Sequence, residues 1–216
     1  MNYGFNSGVM QRGGFRNDWP EIVVKCEPMF FNASLDFALD SGGPITQAFI
    51  NALPRDWSFC DAVFDSRVHM LMPGWYPCIP GYHHDDVARD ATGQPNYDDM
   101  PYRSEHLMGL VNGDICPTVF ALGYHELPKI ESGIVYKQWH DIVVEQIRAG
   151  QLNEYEAPSG RLIEFDWRSM HTGQKAKRGG WRWFGRLSRN TIRTKTKTDE
   201  IRRQVQVYLD NPTEGW

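Results

Sequence analysis

The chain has 216 residues with a formal net charge of −4 at pH 7, and 41% of its residues are hydrophobic and 23% charged. This length and composition are typical of one folded domain with a sizeable core, and they exclude a largely disordered chain. The four cysteines form no C-x-x-C pair, so neither a zinc ribbon nor a disulfide framework is indicated. We find neither a signal peptide nor an apolar run of the ~18 residues that a membrane span needs, so we expect a cytoplasmic protein without membrane contact.

The first third of the chain shows one clear helical pattern. Residues 1–16 are rich in Gly and Asn and are predicted to form a loop. Residues 41–53 are predicted to form a helix, because Pro44 suits the first helical position and Pro54 ends the pattern.

Strand-like segments dominate the rest of the chain, with two further helices. The alternating or short apolar runs are residues 66–73, 109–111, 118–122, 160–167 and 181–188. Residues 138–149 carry Trp139, Ile142, Val143 and Ile147 at helical spacing, and Gly150 provides a stop. Residues 199–209 are predicted to form a last helix.

These elements predict a mostly β fold with peripheral helices, either a β-sandwich or a jelly roll. We predict a single domain, 1–216, with a jelly-roll core at roughly 60–190 and helical additions at about 41–53, 138–149 and 199–209. The polar segment 87–104 has no strand or helix pattern, and loops of this length often act as lids or binding loops. We predict a mobile lid here.

The segment 80–86, P-G-Y-H-H-D-D, contains a doubled H-x-D motif. Residues two apart in an extended segment point to the same side, so a histidine and an aspartate at this spacing can reach one ion. Either His83 with Asp85 or His84 with Asp86 satisfies the spacing, and a shift of one residue changes the face. We favour His83 and Asp85, which leaves the other pair to the opposite, outer face.

A second histidine, His171, follows the predicted strand 160–167 and completes two imidazoles and one carboxylate. This donor set is that of the facial triad of non-haem Fe(II) oxygenases, although a hydrolytic zinc site accepts the same residues. Arg182 and Arg186 share one face of the strand that comes next, where an arginine fork suits bidentate binding of a carboxylate.

Together these motifs resemble the Fe(II)/2-oxoglutarate-dependent dioxygenases. The pattern His171-x10-Arg182-x3-Arg186 is similar to the branch that includes taurine dioxygenase and the phytanoyl-CoA hydroxylase-like proteins. The resemblance extends from Ser66 to Ser188. It implies a cupin-like jelly roll, the double-stranded β-helix, for which the 85 residues between Asp85 and His171 leave room.

The resemblance also implies roles and cofactors. His83, Asp85 and His171 would bind Fe(II) as the catalytic centre, and Arg182 would hold the distal carboxylate of 2-oxoglutarate. Arg186 would face the pocket beside the cosubstrate, and Thr118 is a further candidate partner for 2-oxoglutarate. The implied reaction uses O2, converts 2-oxoglutarate to succinate and CO2, and hydroxylates a substrate.

Several alternatives stay open at this stage. The substrate is a small molecule or a nucleotide, and Trp181 and Trp183 either contact a flat substrate such as a nucleobase or pack in the core. Residues 161–203 contain thirteen Lys or Arg against four Asp or Glu, so nucleic acid is a candidate partner or substrate. The rival function is a metal-binding or metal-free jelly-roll binding module without redox activity.

Overall fold

Antiparallel strands form most of the regular structure in the computed structural model, which describes residues 2–131 and 133–209. The strands are β1 Asn2–Ser7, β2 Met10–Gly14, β3 Met29–Phe31, β4 Ala62–Leu71, β5 Glu105–Val111, β6 Thr118–Pro128, β7 Asn153–Glu156, β8 Arg161–Asp166, β9 His171–Gly173, β10 Gly180–Arg189 and β11 Glu200–Arg202. The prediction of a mostly β fold is therefore confirmed.

The helices are few and lie mainly between the first strands. They are α1 Glu21–Cys26, α2 Leu35–Ser41, α3 Pro44–Asn51, α4 Arg55–Ser58 and α5 Val135–Arg148, with short 3-10 turns at Gly113–Ile115 and Ile192–Thr196. Pro44 opens α3 as expected, and α5 matches the apolar periodicity of 138–149. Within the described ranges, no helix is both long and apolar enough to cross a membrane.

Two larger sheets organise the chain. One has five strands in the order β2-β8-β5-β10-β4, and the other has the order β1-β6-β7 with β9 also paired to β6. A small third sheet joins β11 to β3. All of these pairings are antiparallel.

The five-stranded sheet has two different faces because side chains alternate along each strand. On β5, Leu107 and Val111 belong to an apolar cluster with side chains of the N-terminal helices, whereas Met108 and Leu110 belong to a second cluster. That second cluster includes Phe120 of β6, so it lies between the two sheets. On β10, the same alternation turns Trp183 toward the helices and Arg182 toward the space between the sheets.

Two predicted elements are wrong. Residues 1–16 contain β1 and β2, because the backbone of each strand is paired with a distant strand, β6 and β8 respectively. Both larger sheets thus take a strand from outside 60–190. Residues 199–209 contain no helix: β11 pairs with β3, and Tyr208 forms an isolated bridge with Tyr76. In both cases a long-range partner overrides the local propensity.

Gly109 tests the close packing of the helical face. A Cβ atom built on Gly109 would lie 2.6 Å from Cε1 of Phe15 and 2.9 Å from Cε2 of Phe49. Gly109→Ala should therefore lower the free energy of unfolding by roughly 1–3 kcal/mol, the usual cost of overpacking. Urea denaturation measures the change. Gly8→Ala is the matched control, since nothing lies within 4 Å of the added atom, and an equal loss in both variants would contradict the prediction.

Candidate metal centre

Backbone pairing brings His83 next to His171. The N–H of His83 donates to the carbonyl of His171 at 2.9 Å, and the N–H of His171 donates to the carbonyl of His83 at 3.1 Å. His171 is the first residue of β9, whereas residue 83 lies in an extended loop outside the larger strands. The two ring centroids are 4.7 Å apart. This bridge explains how residues 88 positions apart in the chain present neighbouring imidazoles.

Asp85 completes a cluster with the two histidines. One ligand atom from each of the three side chains lies within 4.8 Å of the others. Nε2 of His171 is 3.2 Å from Oδ2 of Asp85, and Nε2 of His83 is 3.7 Å from Oδ1. The structure thus brings together His83, Asp85 and His171, the three residues that the sequence motifs single out.

Hydrogen bonds fix both rings in an orientation that suits metal ligation. Nδ1 of His83 lies 2.9 Å from the carbonyl of Gly81, and Nδ1 of His171 lies 2.9 Å from the carbonyl of Ser169. A carbonyl only accepts, so each Nδ1 carries a proton, and Nε2 is the ring nitrogen that faces the cluster. Such backbone contacts are the usual second interaction of a metal-bound histidine.

The protonation states of the cluster also fit a cation. Burial, with the neighbouring His171, lowers the pKa of His83 to about 4, so the ring is neutral at pH 7. Burial opposes ionisation of Asp85, but Arg186 and the two histidines hold its pKa well below the usual range. A neutral imidazole and an ionised carboxylate are the forms in which histidine and aspartate bind a metal.

The neighbouring pair, His84 and Asp86, does not join the cluster. His84 is 2% exposed, and its Nδ1 lies 2.8 Å from the hydroxyl of Tyr97 among aromatic side chains. The expectation that this pair serves an outer face is wrong for His84, because the second sheet and α5 cover that side. Asp86 instead lies 4.0 Å from Arg193.

Arg182 is a buried cation without a carboxylate partner. Its side chain is 2% exposed, and Nη2 donates to Oγ1 of Thr118 at 2.9 Å. Among the described residues, no carboxylate lies within 4.0 Å of its guanidinium and Nε has no hydrogen-bond partner. Burial lowers its pKa. An unpaired buried charge costs several kcal/mol, so this position favours an anionic ligand.

Arg186 lines the same cavity but already has acidic partners. Its Nη1 contacts Oδ2 of Asp85, and its Nη2 lies 3.6 Å from Oδ2 of Asp65. Burial opposes its charge, but these carboxylates raise its pKa. The geometry therefore favours a role in positioning Asp85 over the predicted contact with the cosubstrate, which stays a prediction.

The cluster lies in a cavity of about 150 Å³ between the two sheets. Three lining residues that sequence reasoning missed come from β4: Asp65, Arg67 and His69. They are paired across the sheet with Arg186, Phe184 and Arg182. The signal was present in the sequence, because polar residues at every second position interrupt an otherwise largely apolar strand.

The basic segment 161–203 is partly neutralised in the fold. Arg168, Arg178, Arg189, Arg193 and Lys197 each form an ion pair with an aspartate or glutamate. Most of these acids lie outside the segment, so the sequence count overstates its free positive charge. Binding of nucleic acid stays a prediction, which salt-dependent binding of an oligonucleotide would test.

The two tryptophans beside Arg182 pack on the opposite side of β10. Trp183 is fully buried in the cluster beneath the N-terminal helices, and Trp181 packs against the same cluster. Neither lines the cavity. Their role is core packing, and the stacking surface considered for a flat substrate is absent from the described cavity walls.

Segment 87–104 contains no helix or named strand, as expected, but its ends are anchored. Val87, Ala88 and Ser104 are buried, and no residue of the segment lines the cavity. Closure would thus require movement toward the cavity. If it is a lid, Fe(II) and 2-oxoglutarate together should slow proteolytic cleavage within 87–104. Limited proteolysis measures this, and identical cleavage with and without the ligands would exclude a closing lid.

Comparison with known proteins yields only distant similarities. No family model matches the chain, and no curated protein matches it. A solved N-substituted L-amino acid dioxygenase from Burkholderia ambifaria is 13% identical, with a TM-score of 0.35 over 58% of this chain and 48% of that chain. The chain thus spans about half the length of that enzyme.

A second protein is similar over more of its length. Apo HygX from Streptomyces hygroscopicus is 11% identical, with a TM-score of 0.40 over 85% of this chain and 81% of that chain. HygX with iron bound is 12% identical, with a TM-score of 0.37 over 85% and 82% of the two chains. At these scores and identities, the similarities do not by themselves assign this chain an activity.

Proposed function

We propose that this protein is an Fe(II)- and 2-oxoglutarate-dependent oxygenase built on a double-stranded β-helix. The observation that carries the proposal is the combination of the His83, Asp85 and His171 cluster with a buried, unpaired Arg182 on the wall of the same cavity. A metal site alone fits several functions. The additional buried cation calls for a small anion bound beside the metal, as 2-oxoglutarate is in this class of enzyme.

His83, Asp85 and His171 would hold the metal through two Nε2 atoms and a carboxylate oxygen. Three protein ligands leave other coordination positions open for 2-oxoglutarate and O2. Bound Fe(II) would supply the activation of O2 that is coupled to decarboxylation of 2-oxoglutarate. The contact of Arg186 with Asp85 would orient the carboxylate, as second interactions orient ligands in other metal sites.

Arg182 would bind the distal carboxylate of 2-oxoglutarate through parallel N–H donors. Thr118 would support it, because its hydroxyl accepts a hydrogen bond from Nη2 and holds the guanidinium in place. The cavity of about 150 Å³ is small, which suits a short dicarboxylate better than a drug-sized ligand. The substrate is proposed to be a small molecule or a nucleotide.

The decisive experiment is turnover of 2-oxoglutarate. The protein is reconstituted with Fe(II) and 2-oxoglutarate under anaerobic conditions. It should convert 2-oxoglutarate to succinate when O2 is admitted, even without a substrate. Omission of Fe(II) should abolish succinate formation. Tight Zn(II) binding without succinate formation would favour the rival, a metal-binding module without redox activity. A panel of candidate substrates would then be assayed for hydroxylated products.

A further inference from the structure

A second groove opens beside the metal cavity. Its volume is about 400 Å³, within the range of roughly 300–1,000 Å³ that is usual for small-molecule sites. Arg67, His69 and Pro77 line both the cavity and the groove, so the two spaces are adjacent. The other wall of the groove comes from the C-terminal segment 202–208, which β11 and the bridge between Tyr76 and Tyr208 hold in place.

Two arginines from distant parts of the chain meet in this groove. Arg67 is half-buried on β4, and Arg202 is half-buried at the end of β11. Burial lowers the pKa of Arg202 and the positive charge of Arg67 lowers it further, whereas Asp65 and Glu200 oppose that shift. A fold that holds two like charges together bears an electrostatic cost that a bound anion would remove.

Neither arginine forms an ion pair: among the described residues, no carboxylate lies within 4.0 Å of Arg67 or Arg202. Arg202 donates from Nε to the carbonyl of Phe30 at 3.3 Å, and its guanidinium lies 4.3 Å from the ring centroid of Phe31. These contacts orient the guanidinium, and neither of them supplies a negative charge. They contrast with the ion-paired arginines of the neighbouring strand β10, Arg186 and Arg189.

His69 separates the groove from Arg182. Its side chain is 1% exposed, and neither ring nitrogen forms a hydrogen bond among the described residues. The backbone of Gln206 is the nearby polar group. Burial and the two flanking arginines lower its pKa to about 3, so the ring is neutral. A neutral imidazole offers one donor and one acceptor without cancelling or adding charge in the groove.

We infer that this groove binds an anionic group of the substrate, a phosphate or a carboxylate, through Arg67 and Arg202. The inference rests on the proposed function, because it assumes a substrate that reacts at the metal cluster. The uncharged part of that substrate would extend from the groove past His69 into the cavity. Guanidinium forks recognise such oxyanions by paired hydrogen bonds. The groove and the Arg182 pocket would thus bind two different anions, substrate and cosubstrate.

Anion titration of the metal-free protein tests the inference independently of iron binding and turnover. The probes are inorganic phosphate and acetate at constant ionic strength, followed by calorimetry. We expect saturable binding that weakens at least about tenfold in both Arg67→Gln and Arg202→Gln. Stronger binding of phosphate would indicate a phosphate ester as substrate, and stronger binding of acetate a carboxylate.

Two variants control for other sources of binding. Arg203→Gln removes the same charge one residue away, on an exposed side chain that does not line the groove, and should bind the probes like the wild type. Arg182→Gln should retain the binding that Arg67→Gln and Arg202→Gln weaken, because it removes only the separate anion site of the deeper pocket. No saturable binding, equal losses in Arg203→Gln, or loss only in Arg182→Gln would overturn the inference. Circular dichroism checks that each variant is folded. If Arg67→Gln does not fold, the result for Arg202→Gln alone decides whether the inference holds.

Discussion

Replacing His171 by Ala should abolish stoichiometric Fe(II) binding. The substitution removes one of two imidazoles whose Nε2 atoms face Asp85, at 3.2 Å in the case of His171. The remaining histidine and carboxylate would no longer form the three-ligand set that this site needs. Anaerobic equilibrium dialysis followed by metal analysis measures the iron bound per chain. Full retention of iron by a folded His171→Ala variant would contradict the proposed centre.

A second histidine provides the matched control. His140 lies on α5, and its Nδ1 accepts a hydrogen bond from the N–H of Tyr82 at 3.2 Å, outside the cluster. His140→Ala should therefore retain iron. The alternative ligand pair is tested separately. If His84→Ala and Asp86→Asn lose iron while His83→Ala keeps it, the metal is held by the other half of the doubled motif.

Arg182→Lys should weaken the binding of 2-oxoglutarate at least about tenfold in the Fe(II)-loaded protein. Lysine keeps the charge but loses the planar fork, and a charge pair that is broken inside a protein costs roughly 2–5 kcal/mol. Lysine also lacks the Nη2 atom that donates to Oγ1 of Thr118, so this hydrogen bond is lost. Anaerobic calorimetric titration with 2-oxoglutarate gives the affinity.

Arg186→Lys separates the roles of the two arginines on β10. Because Arg186 contacts Asp85 and lies near Asp65, this change should act on the metal, with a loss of about 10–100-fold in Fe(II) affinity. The affinity for 2-oxoglutarate, measured at saturating Fe(II), should change less than in Arg182→Lys. If Arg186→Lys weakens 2-oxoglutarate binding and Arg182→Lys does not, the two roles are exchanged.

Local patterns in the sequence were sufficient for several features of the fold and the candidate site. Alternation along β10 separates Arg182 from Trp183, and both lie on the sides that the pattern predicts. The helical spacing of Trp139 and Val143 matches their burial on α5. The two-residue spacing of His83 and Asp85 likewise matches their joint position beside His171. Each of these features depends on the direction of neighbouring side chains, which the backbone geometry determines within a few residues.

Contacts between distant segments determined what sequence reasoning did not predict. The N-terminal strands and β11 form because their backbones pair with β6, β8 and β3, not because their own residues favour strands. The neutralisation of Arg186 by Asp85, and the lack of any such partner for Arg182, depend on which carboxylates the fold brings near each guanidinium. Residue order determines which way a side chain points from its own strand, whereas charge compensation and strand pairing are properties of three-dimensional proximity, which only the tertiary structure decides.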